Sequence, residues 1–370
     1  MTERERLLDH LSALERDGRP GAVATVVQVD GSSYRRAGAR MLFGAGGERV
    51  GMLSGGCFDL DDRARRVMDS GRTSVHRFDT TGPADVLMGS GSGCQGVVDI
   101  LLAPVEDGHR PSLRACLEPS ARGQPSVLAT VVDPGSGGCR APLGARLLVT
   151  GDGAPRGSLG DAALEAAVER DARSLLGSER VDVNPYPVGE HAVQVMIEGL
   201  TPERRLAVFG AGDDAVPLAE IAAQVGLHVT LVDHRPAYAD PERHPAASEV
   251  LHVADAAEAV RRVAPGARTA CISVTHDYLR DAAILRELRT TPAAYVGVVG
   301  PRSRAERLIA DSSWDAADRG RLYCPAGLDV GAQTPEEIAL SVIAEILGVL
   351  EARTAGHLRD RAGPIHDRPP

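Results

Sequence analysis

The chain has 370 residues, 43% of them hydrophobic and 25% charged, a globular composition with room for two or three domains. Its formal net charge of -10 at pH 7 argues against non-specific gripping of nucleic acid or of an anionic membrane. All 41 basic residues are arginine, which excludes a lysine Schiff base, a P-loop and a protein-kinase site.

The start, MTERERLLDH, is charged, and no apolar run has the length of a bilayer span. A soluble, cytoplasmic chain is expected. Leu7, Leu8, Leu11 and Leu14 predict an amphipathic helix from Glu3 to Asp17, stopped by Gly18 and Pro20. Strands are predicted over Ala22 to Val29, Ala39 to Phe43 and Arg49 to Leu53, joined by hairpin signals at Asp30-Gly31 and Gly44 to Gly47. A helix follows from Phe58 to Asp69, then strands over Thr73 to Phe78 and Val97 to Ala103.

The first half of the chain echoes itself at an offset of about 105 residues. ATVV at Ala24 recurs at Ala129, and GSSYRRAGARMLF from Gly31 is echoed by GSGGCRAPLGARLLV from Gly135. ERVGML is echoed by APRGSL, and a helical pattern follows each. This predicts a duplicated α+β unit, with copies over about 20–104 and 125–199 inside a domain of residues 1–200. The copies differ in their loops. Copy one has Ser54-Gly55-Gly56-Cys57 and a long glycine-rich loop from Thr80 to Gly96, where copy two has only a short Asn184 to His191 connection. A scaffold needs strands in both copies, whereas one ligand site needs loops in only one. The asymmetry singles out Gly55, Gly56, Cys57, Gly91, Gly93, Cys94 and Gly96. A cysteine just before a helix has a lowered pKa and serves as nucleophile or soft metal ligand, so Cys57 and Cys94 are the candidate metal or sulfur-transfer residues. Each thiol taken alone also reads as a small core residue. The six cysteines contain no C-x-x-C pair, which does not support zinc, and Cys116, Cys139, Cys271 and Cys324 read as structural.

Beyond Pro202, strand and helix patterns alternate, predicting a Rossmann-like domain over residues 201–352 with a parallel sheet, followed by a loose tail over 353–370. Gly210-Ala211-Gly212 follows the first of these strands and opens a helix, and Asp233 lies 21 residues beyond Gly212. This is a dinucleotide-type fingerprint, with glycines for phosphate approach and a carboxylate for a ribose. Asp213 and Asp214 oppose it, since their charge would repel a pyrophosphate, and Asp214 also reads as a helix cap. Arg302 and Arg304 at a later helix start form a second anion candidate. His276 and Asp277 stand at another strand end, where Asp277 reads as a cap.

The runs ATVVQVDGSSYRRAGARMLF, GMLSGGCFDLD and GSGCQGVVDILLAPV resemble the N-terminal domain of the XdhC/CoxI family of accessory proteins. VFGAGDDAVPLAEIAAQVGLHVTLVDHRP, THDYLRDAAILREL, AYVGVVGPRSRAERL and PAGLDVGAQTPEEIALSVIAEIL are similar to its C-terminal part. The order is the expected one from about residue 20 to 350. The resemblance implies binding of the molybdenum cofactor, as molybdopterin or its dinucleotide form. It further implies protection during sulfuration and delivery to an apo molybdenum hydroxylase such as xanthine dehydrogenase, with a cysteine desulfurase as further partner. Such a protein is a cofactor chaperone rather than an enzyme, and a homodimer is expected. Asp213 and Gln95 depart from the family pattern of a histidine after the GAG turn and a CGG run. A NAD(P)-dependent oxidoreductase built on Gly210, Gly212 and Asp233 is the alternative reading.

Overall fold

A computed structural model describes residues 3–31, 33–53, 59–81, 96–105, 113–114, 125–135, 141–189, 191–315 and 318–362. The chain divides into two compact units, one built from Glu3–Pro202 and one from Glu203 onward.

The N-terminal unit opens with helix α1 (Glu3–Arg16), which buries Leu7, Leu11 and Leu14. Its first sheet contains β1 (Gly21–Gly31), β2 (Arg40–Gly44), β3 (Arg49–Gly51), β4 (Ser74–Asp79) and β5 (Gly96–Pro104), with α2 (Asp61–Ser70) between β3 and β4. The second contains β6 (Ser126–Asp133), β7 (Arg146–Thr150), β8 (Arg156–Ser158), β9 (Val181–Val188) and β10 (His191–Leu200), with α3 (Ala162–Ser174) between β8 and β9. Their orders are β3-β2-β1-β5-β4 and β8-β7-β6-β10-β9, position for position the same. The irregularities repeat too. Val27 is skipped in the pairing of β1 with β5, and Val132, 105 residues later, in that of β6 with β10. Gly38 N–H donates to the Val26 carbonyl at 2.8 Å, and Gly144 N–H to the Val131 carbonyl at 2.8 Å.

Alternation along the strands gives each sheet two apolar faces. Ala22, Ala24, Val26, Ile100 and Leu102 pack beneath Ala64 and Val67 of α2. Val127, Ala129, Val131, Val195 and Ile197 pack beneath Leu164 and Val168 of α3. On the opposite faces, Val27 and Leu101 of the first sheet meet Val132 and Met196 of the second.

The C-terminal unit is a six-stranded sheet with every pair parallel: β11 (Arg205–Phe209), β12 (His228–Asp233), β13 (Glu249–His252), β14 (Thr269–Ser273), β15 (Tyr295–Val298) and β16 (Leu322–Tyr323). Among the described residues, the α-helices beside it are α4 (Ala215–Gln224), α5 (Ala256–Val263), α6 (Tyr278–Arg289), α7 (Arg302–Asp311) and α8 (Pro335–Leu350). Leu206, Val208, Val229 and Leu231 pack on α4 and α8, while Ala207, Phe209, Val232 and Cys271 pack on α5 and α6. The expected α+β part and Rossmann-like parallel sheet are thus the architecture found. In the order β13-β12-β11-β14-β15-β16, the chain reverses its direction of growth between β11 and β14. Ligands of such sheets bind outside the carboxyl ends of the strands at that point. Among the described residues, no helix is long and apolar enough to cross a membrane.

Three local expectations need correction. Asp30-Gly31 is strand, because both residues pair across to Val97 and Gly96 of β5. Asn184 to Val188 belongs to β9, so the β9–β10 connection is only Gly189 and residue 190. Helix α2 starts at Asp61 rather than Phe58, with Asp61 and Asp62 in its first turn. Cys57 therefore stands four positions before the helix, which weakens the argument from a positive helix end.

Candidate functional site

The β11–α4 turn is built by close approach. Gly210 has φ +113°, and a Cβ there would lie 2.5 Å from the Val274 carbonyl oxygen. This glycine lets the ends of β11 and β14 touch, a structural reason independent of any ligand. At Gly212, a Cβ would meet only Asp214 Oδ1, at 3.1 Å, among the described residues, so the backbone there is open to approach.

Three carboxylates surround the turn, and each has a basic partner. Asp233 is 3% exposed. Its Oδ2 accepts from Ala211 N at 2.7 Å and Arg235 Nη2 at 2.8 Å, and its Oδ1 from Arg235 N at 2.8 Å and Arg235 Nε at 3.0 Å. Burial acts to raise the Asp233 carboxyl, but these donors outweigh it and hold the pKa down at about 2. Four donors match the lone pairs a carboxylate offers, so Asp233 has no acceptor left for a ribose diol. Asp213, whose side chain is 92% exposed, accepts from Arg243 Nη2 at 2.8 Å. Arg235 and Arg243 both stack on Tyr238, at 3.7 and 4.9 Å from the ring centre. Asp214 stands at the cap position of α4 yet makes no capping hydrogen bond. Its Oδ2 lies 2.8 Å from His276 Nε2 instead, which overturns the cap reading.

His276 is held from its own loop. It has φ +57°, a region sparsely used by residues with a side chain. Asp277 caps α6 as expected, accepting from Leu279 N and Arg280 N. Thr275 Oγ1 and Ser273 Oγ donate to Asp281 Oδ1 at 2.5 and 2.6 Å, and Arg304 Nη2 donates to its Oδ2 at 2.6 Å. Arg304 is thereby committed within the protein, while Arg302 lies exposed at the start of α7. A small pocket along the same edge is lined by Gly210, Asp233, His234, Thr275 and Arg280. Burial and the nearby Arg280 lower the His234 pKa, favouring the neutral ring. The sequence reading missed Arg235 and Arg243. An arginine two residues beyond the strand-ending acid was the available signal for Arg235.

In the N-terminal unit, Gly55, Gly56, Cys57, Gly91, Gly93 and Cys94 lie outside the described residues, as do Cys116 and Cys139. Gly96 is described, at the base of that loop. Its N–H donates to Thr80 Oγ1 at 3.1 Å, and its carbonyl accepts from Thr80 N at 2.9 Å. Asp99 lies three residues further along β5. Burial pushes its carboxyl up against the opposing pull of Arg77. Cys271 and Cys324 behave as structural thiols, pushed up by burial to about 12 and about 11. Among the described residues, no group of three or more His, Cys, Asp or Glu side chains is placed to hold a metal ion.

Comparison with known proteins matches residues 206–346 to the XdhC Rossmann domain, and residues 14–79 and 120–186 to the XdhC and CoxI family. A Bacillus subtilis protein whose name describes it as a probable xanthine dehydrogenase subunit is 32% identical over 342 residues, covering 91% of this chain and 95% of that one. The molybdenum cofactor insertion chaperone PaoD of Escherichia coli is 25% identical over 284 residues, covering 66% of this chain and 89% of that one. A crystal structure described as a xanthine dehydrogenase from Bacillus halodurans has a TM-score of 0.78 at 28% identity, over 96% of this chain and 97% of that one.

Proposed function

From the premise that this chain belongs to the XdhC and CoxI family, we propose that it is an accessory protein that binds the molybdenum cofactor, shields it during sulfuration and delivers it to a molybdenum hydroxylase. The names borne by the Bacillus subtilis relative and by PaoD support an accessory role toward such an enzyme. An apo molybdenum hydroxylase and a cysteine desulfurase are the proposed partners, and a homodimer the proposed state. The equal strand orders and matching bulges support the inference that the N-terminal domain is a duplicated unit of two copies.

The bound group would supply a soft, dithiolene-held metal at one end and an anionic phosphate tail at the other. Gly210, Gly212 and Arg302 are proposed as anion contacts within the C-terminal unit, and Cys57 and Cys94 as soft-ligand residues within the N-terminal unit, with Gly55, Gly56, Gly93 and Gly96 shaping their loops. The residues around the turn fit a tail. The Gly212 backbone is open, and the acids that would repel a phosphate are each matched by a base. Asp233 is withdrawn from direct contact and assigned to holding the turn. The observation that favours this reading over a NAD(P)-dependent oxidoreductase is that same carboxylate, filled by four donors from Ala211 and Arg235. The test is to purify the chain and identify what co-elutes. A pterin is expected, and a nicotinamide without a pterin would overturn the proposal.

A further inference from the structure

Strand β4 (Ser74–Asp79) and strand β9 (Val181–Val188) hold the same edge position in the two N-terminal sheets, but they present different backbones to the outside. Thr80 N–H donates to the Gly96 carbonyl and Gly199 N–H to the Arg180 carbonyl, each at 2.9 Å and each one step beyond the paired register. Hydrogen-bonded residues alternate along an antiparallel ladder. Val75, Arg77 and Asp79 therefore turn their N–H and carbonyl groups outward from β4, as Pro185 and Pro187 are turned outward in β9. Arg77 and Pro185 are equivalent, since they face Asp99 and Gln194, the partners of Gln28 and Asp133 just past the two bulges. Asp79 and Pro187 follow two residues later. One copy thus has proline at both outward positions, which closes its edge to a further strand, and the other keeps both donors.

We propose that the β4 edge pairs antiparallel with β4 of a second copy of this chain, about a two-fold axis at Phe78. The sequence Arg77-Phe78-Asp79 is self-complementary in that register. Arg77 of each copy faces Asp79 of the other, within two hydrogen-bonded residue pairs, and the two Phe78 rings stand opposite each other on the face that packs on α2. Both charged side chains have capacity for this. Arg77 Nε is 3.8 Å from Asp99 Oδ1, a long contact, and the side chain is 64% exposed. Asp79 Oδ1 accepts from Thr81 N at 2.9 Å and from Thr81 Oγ1 at 2.6 Å, and its Oδ2 has no partner among the described residues. Charges on an edge ordinarily guard it. Here they select a register, because setting Arg77 against Arg77 opposes like charges, and setting His76 against His76 leaves Arg77 against Val75. This inference deepens the homodimer reading above by naming its interface, and the cofactor reading does not depend on it.

Sedimentation equilibrium of the full chain tests this. A strand of six residues makes a small contact, so the parent should pass from monomer to dimer across the micromolar range. Arg77→Asp and Asp79→Arg should each raise the dimer dissociation constant at least about tenfold, and the double exchange Arg77→Asp/Asp79→Arg should bring it back toward the parent. Arg77→Pro/Asp79→Pro, which copies the β9 edge, should stay monomeric with a melting temperature near the parent's. If that variant does not fold, the charge exchange decides. In the parent, hydrogen exchange at the Arg77 and Asp79 amides should slow as concentration rises. A dimer that tolerates each single exchange, that survives in the folded proline variant, or that the double exchange does not restore overturns the β4 interface and leaves a homodimer through another surface. A parent that is monomeric throughout overturns both the interface and the homodimer. Protection of these amides only after an apo molybdenum hydroxylase is added assigns the edge to that partner and overturns self-pairing.

Discussion

Arg40 of the first N-terminal sheet forks onto Glu198 of the second, with Nη1 donating to Oε1 at 2.8 Å and Nη2 to Oε2. The two side chains are only 10% and 8% exposed. Arg146 holds the position of Arg40 in the other sheet, since they pair with Thr130 and Thr25 respectively. The counterpart of Glu198 is Ala103, because these residues face Leu128 and Val23. The repeat therefore supplies an arginine from both sheets, but the acid at this position comes from only one.

Glu198→Ala should cost the N-terminal unit about 3 kcal/mol, because it removes the carboxylate that balances a buried guanidinium. The double variant Arg40→Met/Glu198→Leu should recover most of that loss. Urea denaturation of all three proteins gives the comparison, and equal losses in the single and double variants would show that the pair is not coupled.

Gly210→Ala should cost about 2 kcal/mol or more, since it adds both a strained φ and a clash with the Val274 carbonyl. Gly212→Ala should cost less than half as much, having only the tip of Asp214 in its way. Thermal melts that ranked the two glycines in the opposite order would contradict this account of the turn.

The elements that sequence periodicity misplaced were decided by partners distant in the chain. Asp30-Gly31 has turn chemistry, but pairing with Gly96 and Val97 extends it as strand. Pro185 and Pro187 suggest a loop, yet β9 is an edge strand, where a missing N–H can face outward. Strand β16, at two residues, is too short to show any alternation. At the site, the Gly210–Gly212 turn and Asp233 were legible because a strand–turn–helix fingerprint is local. The pairing of Asp214 with His276, and of Asp213 with Arg243, was not, because it joins residues 62 and 30 positions apart.

Asp233→Asn should lower stability at pH 7 by about 2 kcal/mol. The folded carboxyl is held at about 2, below its usual 3.8, so its contribution is present above pH 3.8 and is lost as pH falls toward 2. The gap between parent and variant should close over that interval. A gap constant from pH 7 to pH 2 would show that the charge is not what matters.

Asp99→Asn should raise the melting temperature at pH 7. Burial raises the Asp99 carboxyl, so its protonated form favours folding and that benefit is lost as pH rises through the folded-state pKa. The variant's advantage should vanish below the ordinary carboxylate range. A lower melting temperature at pH 7 would instead mean that the Asp99 charge stabilises β5.

Cys57→Ala and Cys94→Ala should each sharply reduce the pterin retained per chain, whereas Cys116→Ala should leave it unchanged. Fluorescence of the oxidised pterin after gel filtration reads all three. Retention equal to the parent in every variant would make these thiols packing residues and leave the loop asymmetry between the two copies without a functional cause.

The most direct test of the central claim is transfer. The chain, purified with its co-eluting pterin, is mixed with a cofactor-free molybdenum hydroxylase, and hydroxylase activity is followed against the loss of pterin from the chain. The account predicts that activity appears in proportion to the pterin lost, and faster than with an equal amount of free cofactor. Pterin that stays on the chain while the hydroxylase remains inactive, or activation no faster than by free cofactor, would contradict it.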